Sequence, residues 1–240
     1  MHTRPFAPSD VAATATLAAQ AFWDDKLFEW LCPRKDTYPD DFRKFFVRSI
    51  KEKQHAPGLR LFVSETDEED ADWTGTPVIT GYAIWRREGK SSTAQAWRQD
   101  PLSQKLERYL IAAEDLYVRI SGVDRCVDHQ NLASFRIAED SSFADIGEFW
   151  HLNILAVAPS FQRRGVGSLL LDWGQEQVEK EGVPAALEAS PFGYGLYLKK
   201  GYRPYNSFTI SEGLEAPALL LEPSGMKGKW GVKREVKVKE

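Results

Sequence analysis

Gln162-Arg163-Arg164-Gly165-Val166-Gly167-Ser168 puts two adjacent guanidinium groups and two closely spaced glycines between two apolar runs. The first run reads as a strand ending at Val157, the second as a helix starting at Val166. A helix start leaves about four backbone N–H groups without intrahelical partners, and the helix dipole adds partial positive charge there. An anion is a natural occupant of that place. Gly165 and Gly167 remove Cβ atoms that would obstruct a close approach, while Arg163 and Arg164 attract phosphate oxygens. The stretch therefore reads as a cradle for a diphosphate. The nucleoside-triphosphate loop G-x-x-x-x-G-K-[ST] is absent. The dinucleotide fingerprint G-x-G-x-x-G fails at its third position, where Leu170 stands. Glu188 lies about 20 residues on, where a ribose-binding acid is expected, and keeps a nicotinamide-dependent oxidoreductase open as an alternative.

The elements that must position this cradle follow from periodicity. Phe149–Val157 reads as a long strand, and Val166–Lys180 as a helix stopped by Gly182 and Pro184. A short strand (Ala185–Ala189), a short helix (Pro191–Lys200) and two strands (Tyr202–Ile210 and Ala216–Leu221) follow. Upstream, Pro8-Ser9-Asp10 marks a helix start with Ser9 as N-cap, and that helix reaches Phe22. Phe42, Phe45, Phe46 and Ile50 give Asp40–Lys53 a helical stripe. Leu59–Ser64 and Val78–Arg86 read as strands joined across an acidic loop, and Gly89–Asp100 is polar. Leu102, Leu106, Tyr109, Leu110, Ala113, Leu116 and Ile120 fall at helical spacing, and a weaker helical segment spans Asn131–Glu139. Strands mixed with helices imply an α/β sheet with helices on its faces.

Composition bounds the rest. The 240 residues are 42% hydrophobic and 12% aromatic, enough for one domain with a sizeable core. A formal net charge of −4 gives no support to a nucleic-acid partner. Two cysteines, Cys32 and Cys126, are too few for a disulfide framework or a zinc site, so no metal is expected and both are expected as reduced thiols of a cytoplasmic protein. The N-terminus has no apolar stretch of the signal-peptide kind, and no apolar run approaches the roughly 18 residues of a membrane span.

Q-R-R-G-V-G matches the [QR]-x-x-G-x-[GA] acyl-CoA signature of the GNAT acetyltransferase superfamily. The preceding L-A-V-A-P-S-F resembles the strand and loop that lead into it, and T-R-P-F-A-P-S-D resembles the family's opening strand and first helix. Downstream, A-S-P-F-G-Y-G-L-Y-L-K-K-G-Y, Ala189–Tyr202, resembles the family's N-x-x-A-x-x-L-Y-x-K-x-G-F segment. It departs at Ser190, where asparagine is common, and at Gly193, where alanine is common. The resemblance implies a single domain over residues 1–240, with a mixed, mostly antiparallel twisted sheet whose fourth and fifth strands splay. It also implies a helical insertion at about residues 88–145, and the basic tail 227–240 is expected to fray.

The resemblance further implies acetyl-CoA as cosubstrate and an unidentified amine as acceptor, in a monomer or homodimer with no membrane partner. Backbone groups of Leu155, Ala156 and Val157 would pair with pantetheine amides, and residues Gln162–Ser168 would hold the pyrophosphate. Ser190 would lie by the pantetheine arm or, alternatively, cap the helix at Pro191. Tyr197 falls on the family's tyrosine position, where the phenol protonates the departing thiolate. His151, eleven residues before Gln162, resembles the position of a glutamate base in histone-acetylating relatives, with Glu148 as runner-up. Strand alternation puts His151, Asn153 and Leu155 on one face unless a bulge intervenes. Trp97, Tyr109 and Tyr117 are candidates for an aromatic wall over the acceptor, or for a packed structural addition. The function implied is acetyl transfer to an amine by direct attack in a ternary complex; the alternative is a non-catalytic acyl-CoA binder on the same fold.

Overall fold

A computed structural model describes residues 1–139, 143–211 and 213–231. Strand β1 (His2–Pro5) is followed by helices α1 (Val11–Ala21), α2 (Lys26–Leu31) and α3 (Pro39–His55), then β2 (Leu59–Glu65) and β3 (Ile79–Glu88). Helices α4 (Ser92–Trp97), α5 (Leu102–Ser121) and α6 (His129–Glu139) separate β3 from β4 (Phe149–Val157). Helix α7 (Val166–Glu181), β5 (Ala185–Glu188), α8 (Pro191–Lys199), β6 (Arg203–Ser211) and β7 (Leu214–Leu221) complete the order. Seven strands form one open sheet, ordered β1-β2-β3-β4-β5-β7-β6. Every neighbouring pair is antiparallel except β4 with β5.

Helices α1 and α3 cover one face of the sheet and α7 the other. Under α1–α3 lies an aromatic cluster in which the Phe28 ring is tilted against Phe46 at 5.0 Å and Phe42 stands edge-on to Phe46 at 5.1 Å. Under α7, Trp85 and Trp150 are fully buried with Leu170 and Leu171. Gly174 lets α7 settle there, because a Cβ at that position would lie 2.2 Å from the Trp85 ring. A third cluster, Phe143, Phe149 and Tyr205, closes the sheet beside β7.

Arg87 is buried on β3 and ties the layers together. It pairs with Glu181 at the end of α7 (2.8 Å) and with Glu148 before β4 (2.9 Å), while Trp97 Nε1 donates to Glu181 at 2.9 Å. Both carboxylates compensate a charge that would be costly to bury alone.

The differences from expectation are local. Ser9 does not cap α1; a short 3₁₀ turn at Pro8–Asp10 precedes it, and the Asp10 carboxylate accepts instead from Ala7 N at 2.7 Å. Helix α2 was not expected: six residues carry too little periodicity, and Asp25, which accepts from Leu27 N at 2.9 Å, is its only local signal. Helix α4 lies inside the stretch read as merely polar, capped by Ser91 accepting from Ala94 N at 3.1 Å. Of the tail 227–240, residues 232–240 lie outside the described residues.

Candidate active site

The site is organised by the place where β4 and β5 part. They pair only at Trp150–Ala185 and His151–Ala186. Beyond that, β5 continues with β7 and β4 continues with β3, so among the described residues no strand lies beside the edge of β4 from Leu152 to Val157 on the β5 side. A bulge interrupts β4 there. Ile84 pairs with Ile154 and Trp85 with Leu152, which leaves Asn153 as the extra residue. The bulge changes the alternation: Ile154 and Ala156 pack toward α1 and α3, whereas Leu155 and Val157 pack toward α7. The expected common face of His151, Asn153 and Leu155 is therefore corrected, since Leu155 turns to the opposite side.

Past the end of β4, the chain builds the α7 N-terminus. Among the described residues, 162–165 form a turn, but no backbone N–H from Arg163 to Ser168 donates a hydrogen bond of full geometry; the first such donor is Leu169 N, to Gly165 O at 3.0 Å. Arg163 (φ 64°) and Gly165 (φ 89°) are both left-handed. Such left-handed turns aim successive N–H groups into a common concavity. A Cβ at Gly165 meets nothing within 4 Å, so glycine is required there by its φ and not by a protein neighbour. Gly167 differs: a Cβ would lie 2.8 Å from Leu196 Cδ2, so this glycine also serves the close packing of α7 on α8. Val166 is buried beneath the turn. Gln162 Nε2 donates to Val157 O at 3.3 Å and braces strand against loop. Arg164 is paired with Asp72 of the acidic β2–β3 loop and lies over the Phe161 ring at 5.3 Å.

On the same side of the sheet, α8 presents Tyr197. Ser190 is its N-cap, with Oγ accepting from Gly193 N at 3.2 Å. Tyr197 is buried, edge-on to Tyr202 at 5.8 Å. Burial raises its phenol pKa well above the ordinary value, so the hydroxyl stays protonated throughout the neutral range. Its ring lies against Gly193, where a methyl group would sit 2.8 Å from Cε2, and this accounts for glycine at a position where alanine is common.

His151 occupies the other side. It is 2% exposed, edge-on to Phe143 (5.7 Å) and Phe149 (6.2 Å), and its Nε2 lies 2.9 Å from Glu188 Oε2. Glu188 closes β5, so the pair bridges the two strands where they begin to part. The second oxygen of Glu188 is buried without a hydrogen-bond partner. Asn153, on the bulge, accepts from Lys53 Nζ of α3 at 2.5 Å. Glu148 is not placed to act as a base. Although partial burial alone would raise its pKa, bonds from Ser91 Oγ (2.7 Å), Ser91 N (2.8 Å), Lys90 N (2.6 Å) and Arg87 hold it down at about 2.

The sequence pointed to His151, but the Glu188 pairing was missed. Sequence spacing marks Glu188 only as a candidate ribose ligand, and nothing in it brings positions 151 and 188 together. The aromatic wall does not form. Trp97 packs edge-on to Trp150 (5.1 Å) on the α7 side, while α5 packs on α3 and leaves Tyr109 and Tyr117 exposed.

Residues 105–204 match the acetyltransferase (GNAT) domain family. An acetyltransferase from Stachybotrys chartarum is 25% identical over 204 residues, covering 82% of this chain and 77% of the relative. Among solved structures, the histone acetyltransferase HPA2 and related acetyltransferase from Corynebacterium glutamicum aligns with a TM-score of 0.59 and 20% identity, over 93% of this chain and 96% of that one. An N-acetyltransferase from Staphylococcus aureus Mu50 aligns with a TM-score of 0.50 and 15% identity, over 92% and 100%.

Proposed function

We propose, from the match of residues 105–204 to the GNAT acetyltransferase domain family and the likeness to an acetyltransferase over 82% of the chain, that the chain transfers an acetyl group from acetyl-CoA to an amine of a small molecule or peptide, by direct attack in a ternary complex. One observation carries the reading: the row of unbonded N–H groups from Arg163 to Ser168 stands beside the gap between β4 and β5. A diphosphate satisfies those donors at a positive helix end. The open edge of β4 at Leu155–Val157 then offers strand-like hydrogen bonds to a linear diamide, which suits the pantetheine arm. Ser190, at the head of α8, borders the same gap.

In this reading the acceptor nitrogen attacks the thioester carbonyl carbon, the C–S bond breaks, and the sulfur leaves with the proton of the Tyr197 hydroxyl. Burial keeps that phenol protonated until it is needed. His151 takes the proton of the acceptor amine. Glu188, 2.9 Å from Nε2, stabilises the imidazolium that forms. No step asks for a metal. Among the described residues no helix is long and apolar enough to cross a membrane, and the buried free thiols of Cys32 and Cys126 suit a reducing, cytoplasmic setting.

The test is release of CoA thiol from acetyl-CoA with a panel of polyamines, amino acids and lysine or N-terminal peptides, with mass spectrometry of the product. Release with at least one amine and a matching acetylated product is the expected result. Calorimetric CoA binding without turnover on any amine would leave a non-catalytic acyl-CoA binder. Absence of CoA binding would remove both readings.

A further inference from the structure

Helix α5 is amphipathic in the wrong sense for a helix that packs only within its own chain. Its inward positions, Gln104, Arg108, Ile111, Asp115 and Val118, recur at steps of four, three, four and three, and are mostly polar. They dock on α3 by polar contacts. Gln104 Oε1 lies 2.7 Å from His55 Nδ1, Arg108 Nη1 donates to His55 O at 3.0 Å, and Asp115 lies 3.9 Å from Arg48 Nε. The opposite side carries Leu102, Leu106, Tyr109, Ala113, Leu116 and Ile120 at steps of four, three, four, three and four. This is the 3.5-residue seam of a helix that packs lengthwise on another helix. The large members are exposed, from 57% at Leu116 to 81% at Leu102.

At roughly 150–250 Å² for an aromatic side chain, with leucine and isoleucine toward the low end, and at the exposures observed, the seam with flanking Leu110 and Tyr117 presents roughly 800–1,000 Å². A typical monomer's largest apolar patch is about 300–600 Å², and a stable interface needs about 800 Å² per partner.

We propose that α5 pairs antiparallel with the α5 of a second copy of this chain, about a two-fold axis passing beside Ile111. The seam itself selects this occupant, because its positions are symmetric about residue 111. Antiparallel pairing sets Leu102 against the partner's Ile120, Leu106 against the partner's Leu116, and Tyr109 against the partner's Ala113. Each layer is apolar, and the central layer packs a large residue on a small one. A closed two-fold contact of this kind is isologous and buries both seams completely. The flanks agree in part: Leu110 meets its own counterpart across the axis, while Lys105 and Arg119 fall together at the solvated rim, where salt screens their repulsion.

Sedimentation equilibrium of the full chain at about 10 µM, within the range where interfaces of this size are occupied, should give the mass of two 27.2 kDa chains, undiminished by added salt. Leu106→Glu combined with Leu116→Glu places facing carboxylates in the seam. It should weaken dimerisation at least ~100-fold, with circular dichroism and CoA binding unchanged, because both side chains are exposed and glutamate is a good helix former. Register is read by cysteine crosslinking against a silent background, as Cys32 and Cys126 are buried. Ala112→Cys should crosslink between copies across the axis and Ser103→Cys should not. A monomer at this concentration, a dimer indifferent to the double substitution, or efficient self-crosslinking of Ser103→Cys would each overturn the proposal.

Discussion

The two walls of the β4–β5 gap are built on different principles. The α7–α8 wall is made of backbone: a row of N–H groups, two left-handed residues, and a tyrosine held by packing against a glycine. The β5–α3 wall is made of side chains drawn from three elements, His151 on β4, Glu188 on β5 and Lys53 on α3, which reaches Asn153. The first wall has its donors open and waiting for a partner from outside. The second pairs His151 with Glu188 and Lys53 with Asn153, and leaves one Glu188 oxygen without a hydrogen bond. A cosubstrate that is always the same can be held by backbone geometry, which tolerates little sequence change. On the proposed function, the acceptor is met by the second wall's side chains, which can be exchanged without rebuilding the sheet.

If the first wall supplies the leaving-group proton, Tyr197→Phe removes it without altering the cradle. Turnover should fall by about 10²–10⁴-fold, the usual contribution of a general acid, while the KM for acetyl-CoA stays nearly unchanged. A turnover number equal to the parent's would make Tyr197 a packing residue. The second wall is tested by His151→Ala, with an expected loss of about 10²-fold at pH 7. An alkyl amine, with a pKa near 10.4, is almost wholly protonated at pH 7 and has a much larger free fraction at pH 9. The defect should therefore shrink as pH rises. Equal losses at both pH values would mean that His151 holds the strands together through Glu188 and takes no proton.

The difference between the walls also decides what the sequence could reveal. The backbone wall is contiguous, and glycines, arginines and flanking apolar runs within one short stretch state its conformation directly. The bounds of β4 and the start of α7 were likewise legible, since long periodic segments speak for themselves. The Glu188–His151 pair was not legible, because strand order and the point of parting decide which side chains meet. Neither was the bulge at Asn153, a single extra residue that reverses the facing of Leu155 and leaves no compositional trace. Helix α4 escaped for a related reason: its anchors are Glu148 accepting from Lys90 and Ser91, and Trp97 reaching Glu181, all distant in sequence. Helix α5 was readable as a helix but not as an inverted one, for periodicity alone does not say which side meets the protein.

Gly165→Val sharpens the claim that backbone conformation makes the cradle. No neighbour obstructs the new side chain, so the fold should persist. A β-branched residue at φ 89° is strained, and the turn relieves that strain by leaving the left-handed region, which rotates the N–H groups away from a shared focus. CoA affinity measured by calorimetry should drop about 10- to 100-fold, equivalent to ~1.4–2.7 kcal/mol, with only a small fall in the thermal midpoint. Undiminished affinity would move the diphosphate away from this turn.

The smallest expected effect comes from the acidic loop between β2 and β3. Asp72 pairs with Arg164, and both side chains are partly exposed. The same loop carries Asp67 and Asp70, which hold the N-terminal ammonium at 2.8 Å each. A diphosphate in the cradle competes with Asp72 for the guanidinium, and the carboxylate's own charge opposes the ligand. Asp72→Asn removes that competitor and leaves the backbone donors untouched. An exposed ion pair contributes about 0–1 kcal/mol, so CoA should bind up to about 5-fold more tightly. The gain should fade as the Debye length contracts from about 10 Å at 0.1 M to about 3 Å at 1 M salt. An affinity unchanged at low salt would mean that Arg164 stays with Asp72 when the cosubstrate binds, and that the backbone N–H groups with Arg163 hold the diphosphate without it.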